Sequence, residues 1–66
     1  MKAGDTVVAT KEITRVDKRV RMAVGDTAKV ISVYDGPVYQ IMNIELPDGN
    51  QMVDICCRHQ FPLKVT

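Results

Sequence analysis

The sequence contains no tryptophan, a single phenylalanine and two tyrosines among 66 residues. Stacking on aromatic platforms, which small domains use to hold single-stranded bases, therefore has only Tyr34, Tyr39 and Phe61 to draw on. Cysteine is limited to the adjacent pair Cys56 and Cys57. Such a pair closes no loop of chain, which excludes a disulfide-stapled secreted scaffold and points to a reducing, cytoplasmic setting. With His59 as the single histidine, the set falls short of the four ligands of a structural zinc site. No stretch approaches the roughly 20 apolar residues that cross a bilayer. The opening MKAGDTVVATKEI has a Gly-Asp pair where a secretory leader has an apolar run, so neither a targeting segment nor a membrane partner is expected. Gly-rich phosphate loops, HExxH, GxSxG and Ca²⁺ loops are missing too, so no catalytic residue, metal or cofactor is assigned and a non-enzyme is expected.

An excess of either charge is also lacking: nine Lys and Arg stand against eight Asp and Glu, a net charge of +1. The whole molecule is thus not marked as a polyanion binder. The distribution is uneven. Up to Val33 the cations Lys2, Lys11, Arg15, Lys18, Arg19, Arg21 and Lys29 outnumber the acids; from Tyr34 onward Arg58 and Lys64 face Asp35, Glu45, Asp48 and Asp54.

What is present is a set of short β-branched runs punctuated by Gly, Pro and Asp, with no sustained helical spacing. Sixty-six residues make one domain, 1–66, and a chain of this size buries only roughly 60% of its unfolded surface. Ala3-Gly4-Asp5 leads into the run Thr6 to Thr10, and Gly25-Asp26 leads into Thr27 to Tyr34. Between them lies the charged stretch Lys11 to Arg21, followed by an alternation that places Val20, Met22 and Val24 on a dry face. Ile13 and Val16, three apart, leave a short helical turn open. Asp35-Gly36-Pro37 breaks the chain before Val38 to Leu46, whose dry face is Val38, Met42, Ile44 and Leu46, interrupted by Gln40. Pro47-Asp48-Gly49-Asn50 predicts a tight hairpin into Gln51 to Ile55. Cys56 to Pro62 reads as a turn, one turn of 3₁₀ helix, before a last strand Leu63 to Val65.

This order, Gly-Asp then strand, long loop, Gly-Asp then strand, hairpin and a short turn before Leu-x-Val, resembles SH3-like small barrels, including the KOW-type domains of ribosomal and transcription proteins. The resemblance implies an all-β fold: a five-stranded SH3-like barrel with a long charged loop after the first strand and a short 3₁₀ turn before the last. It does not fix a function, because a superfold hosts many.

The candidate contact residues are Lys11, Arg15, Lys18, Arg19 and Arg21, in the loop where phosphates would be neutralised, and Tyr34 and Tyr39, which flank Asp35-Gly36-Pro37 and can present two rings to a partner. Competing readings are a solvated charged loop and a cross-strand Tyr pair that only stabilises its hairpin. Cys56, Cys57 and His59 read as one packed thiol, one thiol at a turn and a surface imidazole, with a reactive or metal-binding role left open.

The function these features imply is a small non-catalytic binding module that contacts a macromolecule, nucleic acid or nucleoprotein, through the basic loop. The alternative is a protein–protein adaptor or inhibitor of the phage or accessory kind, with a homo-oligomer left open and Met42 and Met52 offered as adaptable contacts. A remote third reading is an oligomeric small-barrel enzyme in the manner of plasmid type II dihydrofolate reductases. Their Val-Gln-Ile-Tyr motif is absent, Met52-Val53-Asp54-Ile55 standing in its place, so no catalytic residue carries over.

Overall fold

The computed structural model describes residues 1–14 and 21–66. It contains seven strands: β1 (Thr6–Ala9), β2 (Ile13–Thr14), β3 (Arg21–Met22), β4 (Thr27–Asp35), β5 (Gln40–Glu45), β6 (Gln51–Cys57) and β7 (Leu63–Val65). Five form one antiparallel sheet in the order β6-β5-β4-β1-β7, and β2 pairs with β3 in a separate two-stranded sheet.

The all-β class holds, but the SH3-like, KOW-type five-stranded barrel does not. The five-stranded sheet is open, with β6 and β7 as its edges and no ladder joining them. Alternation and turn residues report that each strand is half-buried; they carry no information on whether the first and last strands of a sheet meet. Nor is there a 3₁₀ turn before the last strand among the described residues. β6 runs on through Cys57, and Arg58 and Phe61 then exchange backbone hydrogen bonds at 3.0 and 3.1 Å. His59 and Gln60 between them have φ of 54° and 55°, the signature of a two-residue type I′ turn. Both residues carry a Cβ in a region that disfavours it. Replacing exposed His59 by glycine is expected to raise the unfolding free energy by roughly 0.5–1 kcal/mol, the strain relieved less the chain entropy glycine adds. Urea titration measures this, and an unchanged midpoint would contradict it.

The two Gly-Asp pairs turn out to be one device used twice. Asp5 Oδ2 accepts from the Lys2 N–H and Asp26 Oδ2 from the Ala23 N–H, both at 2.9 Å. Gly4 and Gly25 supply φ of 93° and 94°, which only glycine adopts freely. Each turn then docks on the other's strand: Gly4 N–H donates to Val30 and Val30 N–H to Asp5, while Gly25 N–H donates to Ala9 and Ala9 N–H to Asp26. The β1–β4 pair at the middle of the sheet is thereby clamped at both ends.

One face of the sheet is dry. Val7, Val30, Met42, Ile44, Met52 and Leu63 are essentially inaccessible, and Met22 of β3 joins them together with half-buried Ile13 of β2. The two described ends of the charged stretch therefore pair, with Ile13 of β2 opposite Met22 of β3. Residues Val16 and Val20 lie outside the described residues. Val24 does not continue the dry face: it is 67% exposed, because β3 stops at Met22 and the Gly25-Asp26 turn begins. Val38 is likewise exposed, in the Pro37-Val38 turn closed by the Gly36 N–H to Tyr39 carbonyl bond of 2.8 Å. Gln40, the odd polar residue of its face, holds Met1 at both its nitrogen and its carbonyl. The β5–β6 hairpin turns through the three residues Pro47, Asp48 and Gly49: Gly49 N–H returns to Leu46 O, Leu46 N–H donates to Asn50 O, and Gly49 has φ 90°.

Candidate functional site

The wet face of the β4–β5–β6 meander is where the chain departs from an ordinary half-buried sheet, whose solvent side is polar. Cross-strand register sorts that face into rows. Lys29 pairs with Glu45 and Glu45 with Gln51; Ser32 pairs with Asn43; Tyr34 pairs with Ile41 and Ile41 with Cys56. The rows therefore grade from charged, through polar, to apolar along the strands.

Two irregularities add to the apolar content. The ladder slips between Val30 and Ser32 on β4, and between Met42 and Ile44 where β5 meets β6. At each slip a bulge places two successive residues on the wet side, Ile31 with Ser32 and Val53 with Asp54. Asn43 sits opposite both. Its Nδ2 donates to Ser32 Oγ at 3.0 Å, and its Oδ1 accepts from the Asp54 N–H at 3.1 Å, which satisfies the amide that the bulge removes from the ladder. Asp54 has φ 56°. The result is an outward set of Ile31 (42% exposed), Tyr34 (69%), Val53 (61%), half-buried Ile41 and exposed Cys56, with Tyr39 (42%) beside the row at the turn.

Tyr34 and Tyr39 are not direct cross-strand partners, since Tyr34 faces Ile41 and Tyr39 closes the turn on Gly36. Lys11 is exposed just beyond β1, and Arg21 is exposed on β3 with its Nε 4.0 Å from Glu12 Oε2. Arg15, Lys18 and Arg19 lie outside the described residues. Arg21 adjoins the Thr27 end of β4, whereas Tyr34 lies seven residues on, about 20 Å away at the rise of a strand. Among the described residues, Lys11 and Arg21 therefore stand at the opposite end of β4 from Tyr34 and Tyr39.

Cys56 and Cys57 point to opposite faces. Cys57 is buried, its Sγ 3.8 Å from Met42 Sδ. Burial pushes its thiol pKa up, and Cys56 adds to the rise; a backbone hydrogen bond from Leu63 and the N-terminal ammonium oppose it. His59 is exposed in its turn, and no group of three or more His, Cys, Asp or Glu able to hold a metal exists among the described residues. Under native conditions at mildly alkaline pH, one thiol per chain is expected to react with an aromatic disulfide reagent and the second only on unfolding. Two fast thiols in the native protein would contradict the packing at Cys57.

Met42 and Met52, offered by the sequence as adaptable contacts, are both buried at 1% exposure and cannot touch a partner. Two shallow depressions of about 420 and 390 Å³ share Thr27, Leu46 and Pro47. Their walls mix Lys29 and Arg21 with Glu45, Asp26 and Asp48, so they present no convergent set of groups for one ligand.

No family model, no curated protein and no solved structure matches this chain. No helix among the described residues is long and apolar enough to cross a membrane.

The outward bulge residues were the part of the site that residue patterns missed. The only trace in sequence is that Ile31 and Val53 each interrupt strict alternation next to a polar residue, a signal shared by many strands.

Proposed function

We propose that this chain is a non-catalytic binding module whose contact surface is the wet face of β4, β5 and β6, and that what it contacts is protein. The observation that carries this reading is the pair of facing bulges around Asn43, which turn Ile31 and Val53 out on the same face as Tyr34 and Ile41. Several large apolar side chains exposed on one sheet face mark an interaction surface. Its charged row is balanced, Lys29 against Glu45, so the face offers phosphates no net attraction. Aromatic and aliphatic side chains bordered by polar ones match the composition of a protein interface.

Photocrosslinking tests this. With benzoylphenylalanine in place of Ile41, illumination is expected to give adducts that protease removes and nuclease does not, and the same probe at Val24 is expected to give none. Nuclease-sensitive adducts, or equal yields from both positions, would contradict it.

A further inference from the structure

We infer that Gln60 is a stopper on the free edge of β7: its side-chain oxygen holds the place that a backbone carbonyl of an added strand would take, so the five-stranded sheet is closed to growth at that end. β1 separates β7 from the β4–β6 face proposed for protein contact, so either reading can fail without the other.

The backbone sets which groups reach that edge. Along an antiparallel strand the N–H and C=O of each residue point together, alternately toward one neighbour and toward the other. On β7 this phase is fixed at both ends, where Thr10 N–H donates to Pro62 O at 2.7 Å and Thr66 N–H to Thr6 O at 3.0 Å. Pro62, Lys64 and Thr66 therefore face β1, and Leu63 and Val65 turn their N–H groups to the open edge. Unpaired edge groups are a template for another chain. Both N–H groups are already taken, by side chains from the end of β6 and the turn after it. Val65 N–H donates to Gln60 Oε1 at 3.3 Å, and Leu63 N–H to the Cys57 thiol. Cys57 is buried whereas Gln60 is exposed, so Gln60 is the acceptor that an arriving strand has to displace. Its own backbone is strained: φ of 55° disfavours a Cβ, and glycine takes that angle freely. Glycine, however, carries no oxygen to reach Val65. Exposed Lys64 adds a charge to the same edge. The opposite edge is blunted differently. β6 is interrupted by the bulge at Val53 and Asp54, whereas β7 runs against β1 without a register shift. The regular edge is the one that needs a side-chain stopper.

Amide hydrogen exchange and sedimentation velocity on the full chain test this. Gln60→Ala is expected to speed exchange of the Val65 amide roughly threefold to tenfold, the range for one net hydrogen bond, and to leave the Lys64 amide, which faces β1, unchanged. Gln60→Glu, which keeps an acceptor oxygen, is expected to keep the wild-type rate. With the charge removed as well, the double variant Gln60→Ala with Lys64→Thr is expected to associate as concentration rises to millimolar, the Val65 amide regaining protection in the associated form. Lys64→Thr alone, with Gln60 in place, is expected to associate no more than wild type. A Val65 amide indifferent to Gln60→Ala overturns the inference, as does a double variant that associates no more than Lys64→Thr. Circular dichroism at low concentration checks that each variant folds. Where Gln60→Ala does not, Gln60→Gly removes the same oxygen and takes φ 55° without strain.

Discussion

Met42→Ala is expected to lower the unfolding free energy by about 2–5 kcal/mol, the range for emptying a buried large side chain. Met42 is 1% exposed on β5, a strand paired on both sides, with Val33 opposite on β4 and Ile55 opposite on β6. Cys57 Sγ rests against its sulfur. The cavity would therefore open at the centre of the dry face, where neighbours on three strands cannot all move in. A domain of this length holds about 3–10 kcal/mol in total, so the variant should be partly unfolded at moderate temperature. Its Cys57 should become reactive toward thiol reagents at the rate set by that opening. Urea unfolding followed by circular dichroism gives the magnitude, and a loss under 1 kcal/mol would show that β5 is not central to the core.

Asn43→Ala carries the second largest expected effect, about 1–3 kcal/mol, because one amide serves two bulges. Removing it leaves the Asp54 N–H with no acceptor and Ser32 Oγ without its donor. Solvent can reach both groups, which places the cost toward the lower part of that range. The functional consequence is larger than the energetic one. Without the side chain that pins them, the bulges lose the register that points Ile31 and Val53 outward. Asn43→Asp is a sharper probe, since it keeps the acceptor for Asp54 N–H but removes the donor to Ser32 and adds a charge beside Asp54. Asn43→Ala should be less stable than wild type, and Asn43→Asp should fold yet lose contact through the face. Wild-type stability and contact in both variants would refute the role given to Asn43.

Much of the fold was legible in the residues because the physics behind it is local. Val7 and Ala9, Ala28 and Val30, and Met42, Ile44 and Leu46 alternate with exposed neighbours at the two-residue period of a strand. The Gly-Asp turns were legible from Gly4 and Gly25 because glycine freely takes the backbone angle they need, whereas the bonds from Asp5 and Asp26 back to the amides of Lys2 and Ala23 were seen only in the structure. That the two turns clamp β1 against β4 was not legible, since Gly4 meets Val30 and Gly25 meets Ala9 only after long-range pairing.

Closure of the sheet and the position of its bulges were also hidden, for the same reason. Whether β7 adds to β1 alone or also meets β6 depends on strand length and sheet curvature, not on the alternation of Leu63, Lys64 and Val65. Ile31 and Val53 look like ordinary members of apolar runs until the register slips beside them. The basic stretch drew attention because its charge is conspicuous in one dimension, yet its described members Lys11 and Arg21 share the Thr27 end of the sheet with Glu12 and Asp26. The face proposed for contact announces itself only through side-chain direction, which a sequence does not contain.

The most direct test of the account is photocrosslinking from four positions of the intact chain in turn: Ile31, Ile41 and Val53 on the β4–β6 face, and Val24 away from it. The account predicts protease-sensitive adducts from the first three and none from Val24. Equal yields from Val24, or no adducts from the β4–β6 face, would contradict it.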